Sequence, residues 1–338
     1  MKSVCIILLN YNGTTDTIAC IESIERLDVR NLNTKVVIID NNSEHDQCKK
    51  LESYLNDNQS YNVNNNLSES KYILLKNKMN LGFAGANNKA IRFAEEHYDF
   101  DYYLLLNNDT ELREDSLQKL IIAFNDTEVG AASGLILDYA SKSKIWYAGG
   151  YVSRIRAKGK HEFYGQDVST LDLRAKTTKF LSGCFVMFDR KALLDIQLLN
   201  ERYFFGTEEY DYSLKLRDLG YKLMFIPESV IYHKVKIDEG NGSSHNIKEL
   251  IFIYNSMRNK YLLNYFNYNV ITKNLWVLFS KFYIKYILYR RLSKNGRNDL
   301  IDKESVRVLY DYYIKNISKK FIDYREFNEV REKLKKID

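Results

Sequence analysis

Proline is almost absent from this 338-residue chain, which has Pro227 and no other. The abundance of Asn, Lys, Ile and Tyr points to an AT-rich genome, so the scarcity of proline carries no functional reading. Other absences exclude more. The four cysteines, Cys5, Cys20, Cys48 and Cys184, include no C-x-x-C pair, and three of them fall in periodic apolar stretches. They read as small buried hydrophobes rather than as metal ligands or nucleophiles. Neither G-x-G-x-x-G nor G-x-x-x-x-G-K-[ST] occurs, so no glycine loop is available to cradle a pyrophosphate. The N-terminus lacks a charged stretch followed by an apolar one and a small-residue cleavage site, which makes the reducing cytoplasm the expected compartment. No repeat of solenoid period is visible. Acid is missing from one segment: residues 250–298 hold nine Lys or Arg and no Asp or Glu, so the net charge of +6 becomes −3 on the rest of the chain.

With 45% hydrophobic residues, the chain has enough apolar side chain for a packed core. Residues 4–10 (VCIILLN) and 36–40 (VVIID) are continuous apolar runs of strand length, each ending in polar residues. Between them, residues 14–27 place Ile18, Ile21, Ile24 and Leu27 at helical spacing. Residues 72–75, 84–94 and 102–106 repeat the strand, helix, strand pattern. Continuous apolar strands alternating with helices predict an α/β fold whose mostly parallel sheet is covered on both faces. A second region, mixed rather than alternating, is expected from about residue 131. It holds a strand over residues 179–188, a helix from Arg190, and an amphipathic helix over residues 208–219 that ends at Gly220. Residues 59–70, rich in Asn and Ser, read as a loop.

Ligands of such sheets bind where the strands end, and three polar clusters lie there: Asn10-Tyr11-Asn12, Asp40-Asn41-Asn42 and Asn107-Asn108-Asp109. Asp40 can accept hydrogen bonds from ribose hydroxyls or a base edge, or it can form a turn with the residues that follow. In residues 80–88 (NLGFAGANN), Gly82 permits close backbone approach, while Asn80, Asn87 and Asn88 can bond a nucleotide without adding charge. The alternative there is a glycine-bearing loop with an Asn cap. Glu208, Glu209 and Asp211 open the amphipathic helix. Capping and the helix dipole favour acids in a first turn at about 0.3–1 kcal/mol each. Three carboxylates in four positions exceed that need, and one is a candidate general base, with residues 203–206 as an apolar wall. His233 follows the strand-like residues 230–232. A lone strand-end histidine is more often structural than a ligand, but with Asp109 it would suit Mg2+ or Mn2+ beside a diphosphate.

In this order, residues 3–260 carry NYN, VVIIDNNS, NLGFAGANN, LLLNNDT, FLSGCFVMFDRKAL, FFGTEEYDYSLKLRDLGY and YHKV. The series resembles inverting family 2 glycosyltransferases, in particular the bacterial rhamnosyltransferase-like branch that builds surface polysaccharides. The resemblance implies a GT-A fold and transfer of a sugar, with inversion, from a nucleoside-diphosphate donor to a hydroxyl of a glycan or lipid-linked acceptor. Asp40 would contact the nucleoside, and Asn107-Asn108-Asp109 would stand at the metal-binding D-x-D. There Asn107 replaces the first acid, leaving Asp109 to carry the metal with His233, while Asn107 or Asn108 would bond ribose or diphosphate. The family commonly reads Glu-Asp at the helix start, whereas this chain reads Glu208-Glu209. Glu209 takes the place of the base on an arm one methylene longer, with Glu208 and Asp211 in reserve. These departures also leave open a catalytically silent sugar-nucleotide-binding or scaffold protein.

The expected catalytic domain spans residues 1–246, with a nucleotide half to about residue 130 and an acceptor half after it, followed by a basic helical region, 247–338. In residues 270–289, Lys273, Lys281 and Lys285 interrupt the apolar run, and Trp276, Phe279, Tyr283 and Ile287 lie on another side. That pattern suits a helix lying on a membrane surface, with contact expected through residues 250–298, or one packed on the catalytic domain with a solvated basic face. No nucleic-acid motif accompanies the charge, so no nucleic-acid partner is expected. The tail, residues 302–338, has the periodicity of a helical hairpin or of a homodimer contact.

Overall fold

The computed structural model describes residues 1–57, 70–153, 158–234, 259 and 270–282, with isolated positions from 304 to 329. Two compact units divide the chain: Met1–Asn200 with Glu208–Glu239, and Glu201–Thr207 with Gly240–Asp338.

Four parallel strands form the first half of the first unit: β1 (Lys2–Asn10), β2 (Leu32–Asp40), β3 (Tyr72–Lys76) and β4 (Tyr102–Asn107). Three helices connect them: α1 (Thr14–Glu25), α2 (His45–Asp57) and α3 (Gly82–His97). Their apolar runs are continuous because both faces of the sheet are buried. Val4, Ile6, Leu8, Val36, Ile38 and Leu104 pack on one face with Cys20, Ile21 and Ile24 of α1. Cys5, Ile7, Val37, Ile39 and Leu105 pack on the other with Ala84, Ala86, Ala90, Ile91 and Ala94 of α3. Each large aliphatic side chain so buried contributes about 1.5–3 kcal/mol. The alanines keep α3 close to the sheet.

The second half continues the same sheet. It adds β5 (Thr110–Leu112), α4 (Ser116–Leu120), β6 (Val129–Asp138), β7 (Ile145–Tyr147), the hairpin strands β8 (Gly150–Ser153) and β9 (Lys158–His161), β10 (Lys176–Thr177), β11 (Phe185–Asp189), α5 (Arg190–Asp195), α6 (Glu208–Asp218) and β12 (Lys222–His233). Among the described residues the sheet has ten strands, ordered β10-β12-β6-β11-β4-β1-β2-β3, with β5 paired to β12 and β7 to β6. β11 is antiparallel to both neighbours, β4 and β6, so this half is mixed, as its sequence pattern predicts. The result is the α/β architecture expected: a large central sheet flanked by helices.

Two segments differ from the sequence reading. Residues 179–184 are not strand; β11 begins only at Phe185 after a turn at Gly183-Cys184. Side chains take up much of that backbone: Tyr147 Oη donates to the Phe180 carbonyl at 2.7 Å, Tyr212 Oη donates to that of Leu181 at 2.8 Å, and Leu181 N donates to Ser213 Oγ at 3.2 Å, while strands bond only its ends, through the Gly150 carbonyl and Asn107 N. The short strand expected at residues 230–232 is the end of the twelve-residue β12, which pairs with β6 on both sides of a register shift between Ile226 and Val230. Pro227 lies in that bulge, where a residue without an N–H interrupts no ladder bond. Helix α6 ends as expected, with Gly220 at φ +90° accepting the left-handed turn.

In the second unit, α7 (Val270–Phe282) is described, and Asn259 Nδ2 donates to the Phe205 carbonyl at 2.9 Å. Residues 58–69, 235–250 and 283–298, and most of 302–338, lie outside the described residues, and with them most of the loop, basic-segment and dimer expectations.

Candidate active site

Parallel register brings the strand ends level. Asn10 is paired with Asp40, and Leu9 with Asn107, so the three polar clusters open on one edge of the sheet. On its β1–β3 side that edge is a lattice of buried amides and one carboxylate. Asp40, 2% exposed, takes Asn10 Nδ2 on Oδ2 at 2.8 Å and Ser43 N on Oδ1 at 3.0 Å. Its turn-forming role is therefore present at the strand end. Thr17 Oγ1 donates to Asn10 Oδ1 at 2.9 Å. Asn12, at φ +54°, accepts Glu44 N at 2.7 Å. Asn41 joins β2 to the loop before α3: Oδ1 accepts Asn77 Nδ2 and Leu81 N, both at 2.9 Å, and Nδ2 donates to Asn80 Oδ1 at 2.8 Å. Asn80 Oδ1 also accepts Gly82 N at 2.8 Å, and Gly82 sits at φ +72°, where a side chain would be strained.

Two of the predicted amides bond backbone. Asn88, 1% exposed, pairs both ways with the backbone of Leu199, at 2.8 and 3.0 Å. Asn87 Nδ2 donates to the Phe83 carbonyl one turn back at 2.8 Å. Asn108 ties the β4 end to α1, donating to Thr17 Oγ1 at 2.9 Å and to the Gly13 carbonyl at 3.2 Å.

The other side of the edge is satisfied differently. β12 pairs with β5 so that His233 faces Thr110, and Lys234 N donates to the Asp109 carbonyl at 2.9 Å. This brings His233 Nε2 within 3.2 Å of Asp109 Oδ1. The angles do not make a hydrogen bond, and Asp109 Oδ1, His233 Nδ1 and His233 Nε2 are all buried without a hydrogen-bond partner. Burying such atoms costs on the order of 1–3 kcal/mol each unless a ligand satisfies them. Neighbouring donors of an octahedral ion with bonds of about 2.1 Å stand about 3 Å apart, so this carboxylate and imidazole fit a hard divalent cation. Among the described residues no group of three His, Cys, Asp or Glu converges on a metal position, so most of the remaining positions would fall to water and substrate oxygens.

Glu209 stands at the first turn of α6, half-buried, and burial pushes its carboxyl from 4.5 up to about 7. A Cβ placed on Gly183 would lie 3.4 Å from Glu209 Oε2 and 3.5 Å from the Phe83 ring. The Gly183-Cys184 turn links the two carboxylates. Asn107 N donates to the Cys184 carbonyl at 2.9 Å, and the Cys184 thiol, held well above its ordinary pKa mainly by burial, also feels Asp109 and Glu209. Glu208 and Asp211 are 2% and 1% exposed, and Asp211 is paired with Lys215 Nζ at 2.7 Å. Glu209 thus sets a carboxylate with a raised proton affinity against the glycine turn.

Sequence reasoning missed several residues here. Trp146 stands edge-on to His233, with ring centroids 4.7 Å apart, and His161 packs on Trp146 at the same distance with Nδ1 2.8 Å from its carbonyl oxygen. Burial lowers the His161 pKa. Thr17, Ser43, Asn77 and Gly183 were also passed over. Thr17 one turn into α1, directly behind a polar strand end, was the one readable signal. The rest become visible only when distant segments meet.

Polar strand ends open on one edge of a mixed sheet flanked by helices, and that fold is of the GT-A class. Solved structures of that class superimpose on the chain. GalNAc-T7, solved with UDP, GalNAc and Mn2+, gives a TM-score of 0.56 at 15% identity over 87% of this chain, which spans 58% of that enzyme's length. The mannosyltransferase PcManGT from Pyrobaculum calidifontis, solved with GDP-Man and Mn2+, gives 0.52 at 15% identity, covering 98% of this chain and 84% of that one. At that identity the likeness carries the fold. The sequence profile of Glycosyl transferase family 2 matches residues 3–196, more than half of the chain, and that of Glycosyl transferase family group 2 matches residues 102–292. The chain belongs to glycosyl transferase family 2. No curated protein sequence matches it.

Proposed function

We propose that this glycosyltransferase is inverting and metal-dependent. In this reading it moves rhamnose or a hexose from a UDP or dTDP donor to a hydroxyl of a growing glycan or lipid-linked acceptor. Its setting would be bacterial surface polysaccharide assembly, such as capsule or O-antigen, in the rhamnosyltransferase-like branch. Residues 1–246 would be the catalytic domain and residues 247–338 its basic extension. One observation carries the reading: Asp109 and Glu209 flank one glycine-cysteine turn, the first beside unbonded His233 nitrogens and the second with a carboxyl near pKa 7.

Asp109 and His233 would hold Mg2+ or Mn2+, and the charge of a bound cation would offset that of the departing diphosphate. Asp40, Asn10, Asn12, Asn80, Gly82, Asn107 and Asn108 line the edge on which the nucleoside and diphosphate would lie. Glu209 accepts the proton of the acceptor hydroxyl as that oxygen attacks the anomeric carbon. The new C–O bond forms opposite the bond to the diphosphate, which breaks and leaves with the electron pair. Configuration inverts, and no covalent enzyme intermediate is needed. A base of pKa about 7 is half-ionised at neutral pH and strong enough to take a proton from a hydroxyl being consumed in the same step.

A catalytically silent sugar-nucleotide-binding or scaffold protein of the same fold would keep its ligand binding and show no transfer to lose at Glu209. Glu209→Gln removes the base and keeps the shape, and should lower transfer by about 10²–10⁴-fold while nucleotide binding is retained. Steady-state transfer with a nucleotide-sugar panel, beside calorimetric titration of UDP and dTDP, tests this. Activity within a few-fold of the parent would remove Glu209 from the mechanism.

A further inference from the structure

His233 meets Asp109 with a ring that no hydrogen bond holds. The residue is 3% exposed, and among the described residues neither of its nitrogens has a hydrogen-bond partner. An imidazole that binds a metal through one nitrogen ordinarily gives its other N–H to a carboxylate or carbonyl, which fixes the tautomer and the plane of the ring. His233 has no such acceptor, so packing has to set its plane. Among the described residues, the ring packed against it is the indole of Trp146, with centroids 4.7 Å apart and planes at 85°. A perpendicular contact of this kind is a favoured arrangement of two aromatic rings.

Backbone geometry brings the indole there. β7 and β12 flank the end of β6 on opposite sides, for Ile136 is paired with Tyr147 of one and Ile231 of the other. Leu137 pairs with Ile145 while its neighbour Ile136 pairs with Tyr147, so Trp146 is an extra residue on β7, a β-bulge. A bulge bends its strand and re-aims a side chain. This one is itself tied down. His161, at the end of β9, has Nδ1 2.8 Å from the Trp146 carbonyl oxygen, which can only accept, so Nδ1 carries the proton. The His161 ring also lies against the indole at 4.7 Å and stacks on Phe180 at 5.6 Å. Ile145 and Tyr147 are fully buried, whereas Trp146 between them is half-buried. A change at residue 146 therefore removes less of the core than a change at either neighbour.

We propose that Trp146 is a positioning residue for the metal site: seated on the β7 bulge and fixed through His161, it holds the His233 imidazole in the plane from which, with Asp109, it takes a divalent cation. The inference rests on the reading in which Asp109 and His233 hold that ion.

The test is titration of the full chain with Mn2+, with and without UDP, followed by electron paramagnetic resonance of the free ion and by tryptophan emission. Trp146→Ala should weaken Mn2+ binding by about tenfold or more, as the loss of a group that orients a ligand does. Trp146→Phe keeps a flat ring on the bulge and should bind within about threefold of the parent. Thermal midpoints without metal show which variants are folded; should Trp146→Ala not fold, Trp146→Leu fills the space without a flat ring and should show the same loss. The chain has one other tryptophan, Trp276. Saturable quenching by Mn2+ should therefore be present in the parent and absent from Trp146→Phe, although that variant still binds the ion. Parent-like affinity in a folded Trp146→Ala or Trp146→Leu, or equal quenching in the parent and Trp146→Phe, overturns the proposal and leaves the metal site standing. Parent-like affinity in Asp109→Asn and His233→Ala overturns the metal site, and this inference with it.

Discussion

The two sides of the crevice treat buried polar groups in opposite ways. Toward β1–β3, Asn10, Asp40, Asn41, Asn77 and Asn80 are buried and bonded to one another or to nearby backbone. Toward β12 and α6, Asp109 Oδ1 and both His233 nitrogens are buried with no hydrogen bond, and Glu209 is held near pKa 7. Satisfied groups make a rigid wall of fixed shape, useful for recognising a rigid ligand part. Unsatisfied groups store the cost of their burial until a cation or a proton arrives. Substitutions on the first side should therefore act on stability, and on the second side on binding and rate.

The largest stability effect is expected at Asn41. Asn41→Leu would strand Asn77 Nδ2 and Leu81 N, leave Asn80 Oδ1 with Gly82 N alone, and should cost about 2 kcal/mol or more, read as a lower urea midpoint at unchanged slope. A loss below about 1 kcal/mol would mean that water replaces the lattice readily.

On the opposite side, Asp109→Asn should weaken Mn2+ binding by at least about 10–100-fold, measured by titration of the purified protein, with the unfolding midpoint held or raised. A destabilised variant with unchanged affinity would place Asp109 in the scaffold after all.

Next comes Glu209 and pH. Its folded pKa, about 7, lies above the unfolded 4.5, so the folded chain keeps a proton that the unfolded chain releases as pH rises between those values. Stability is full below about 4.5 and falls through about 7, by roughly 2–3 kcal/mol. Glu209→Gln should remove this dependence and be the more stable protein at pH 8 but not at pH 4. In the parent, kcat/KM should rise with pH through about 7; an acid limb near 4.5 would contradict the burial of this carboxylate.

The smallest effect sharpens the same point. Gly183 has room for a methyl group 3.4 Å from Glu209 Oε2, so Gly183→Ala should fold and raise the acid limb of the rate profile by less than about one pH unit through added desolvation. A downward shift would mean that the methyl admits water instead.

Much of the frame was legible. Apolar runs 4–10, 36–40 and 102–106 are strands buried on both faces, and Gly220 ends α6 as its backbone freedom suggests. Residues 179–184 misled because an apolar run reads alike whether a strand or a set of side chains satisfies its backbone; here Tyr147, Tyr212 and Ser213 take up much of it. In the site, Asp109, His233 and Glu209 stood out as charge-bearing types at element ends. Asn88 did not declare that its partner is Leu199, and Trp146 gave no sign that it stands against His233.

Local period, side-chain chemistry at strand ends and the family motifs are written in neighbouring residues, so the chain by itself determined the α/β order, the edge where polar groups gather and the glycosyltransferase class. Which polar groups on that edge are spent and which are left over is a property of pairs far apart in sequence. Asn10 meets Asp40 and Asn41 meets Asn80, whereas Asp109 meets His233 without bonding it. Only folding, which fixes those distances and angles and removes the competing water, decided that difference, because a hydrogen bond is set by geometry that no single residue carries.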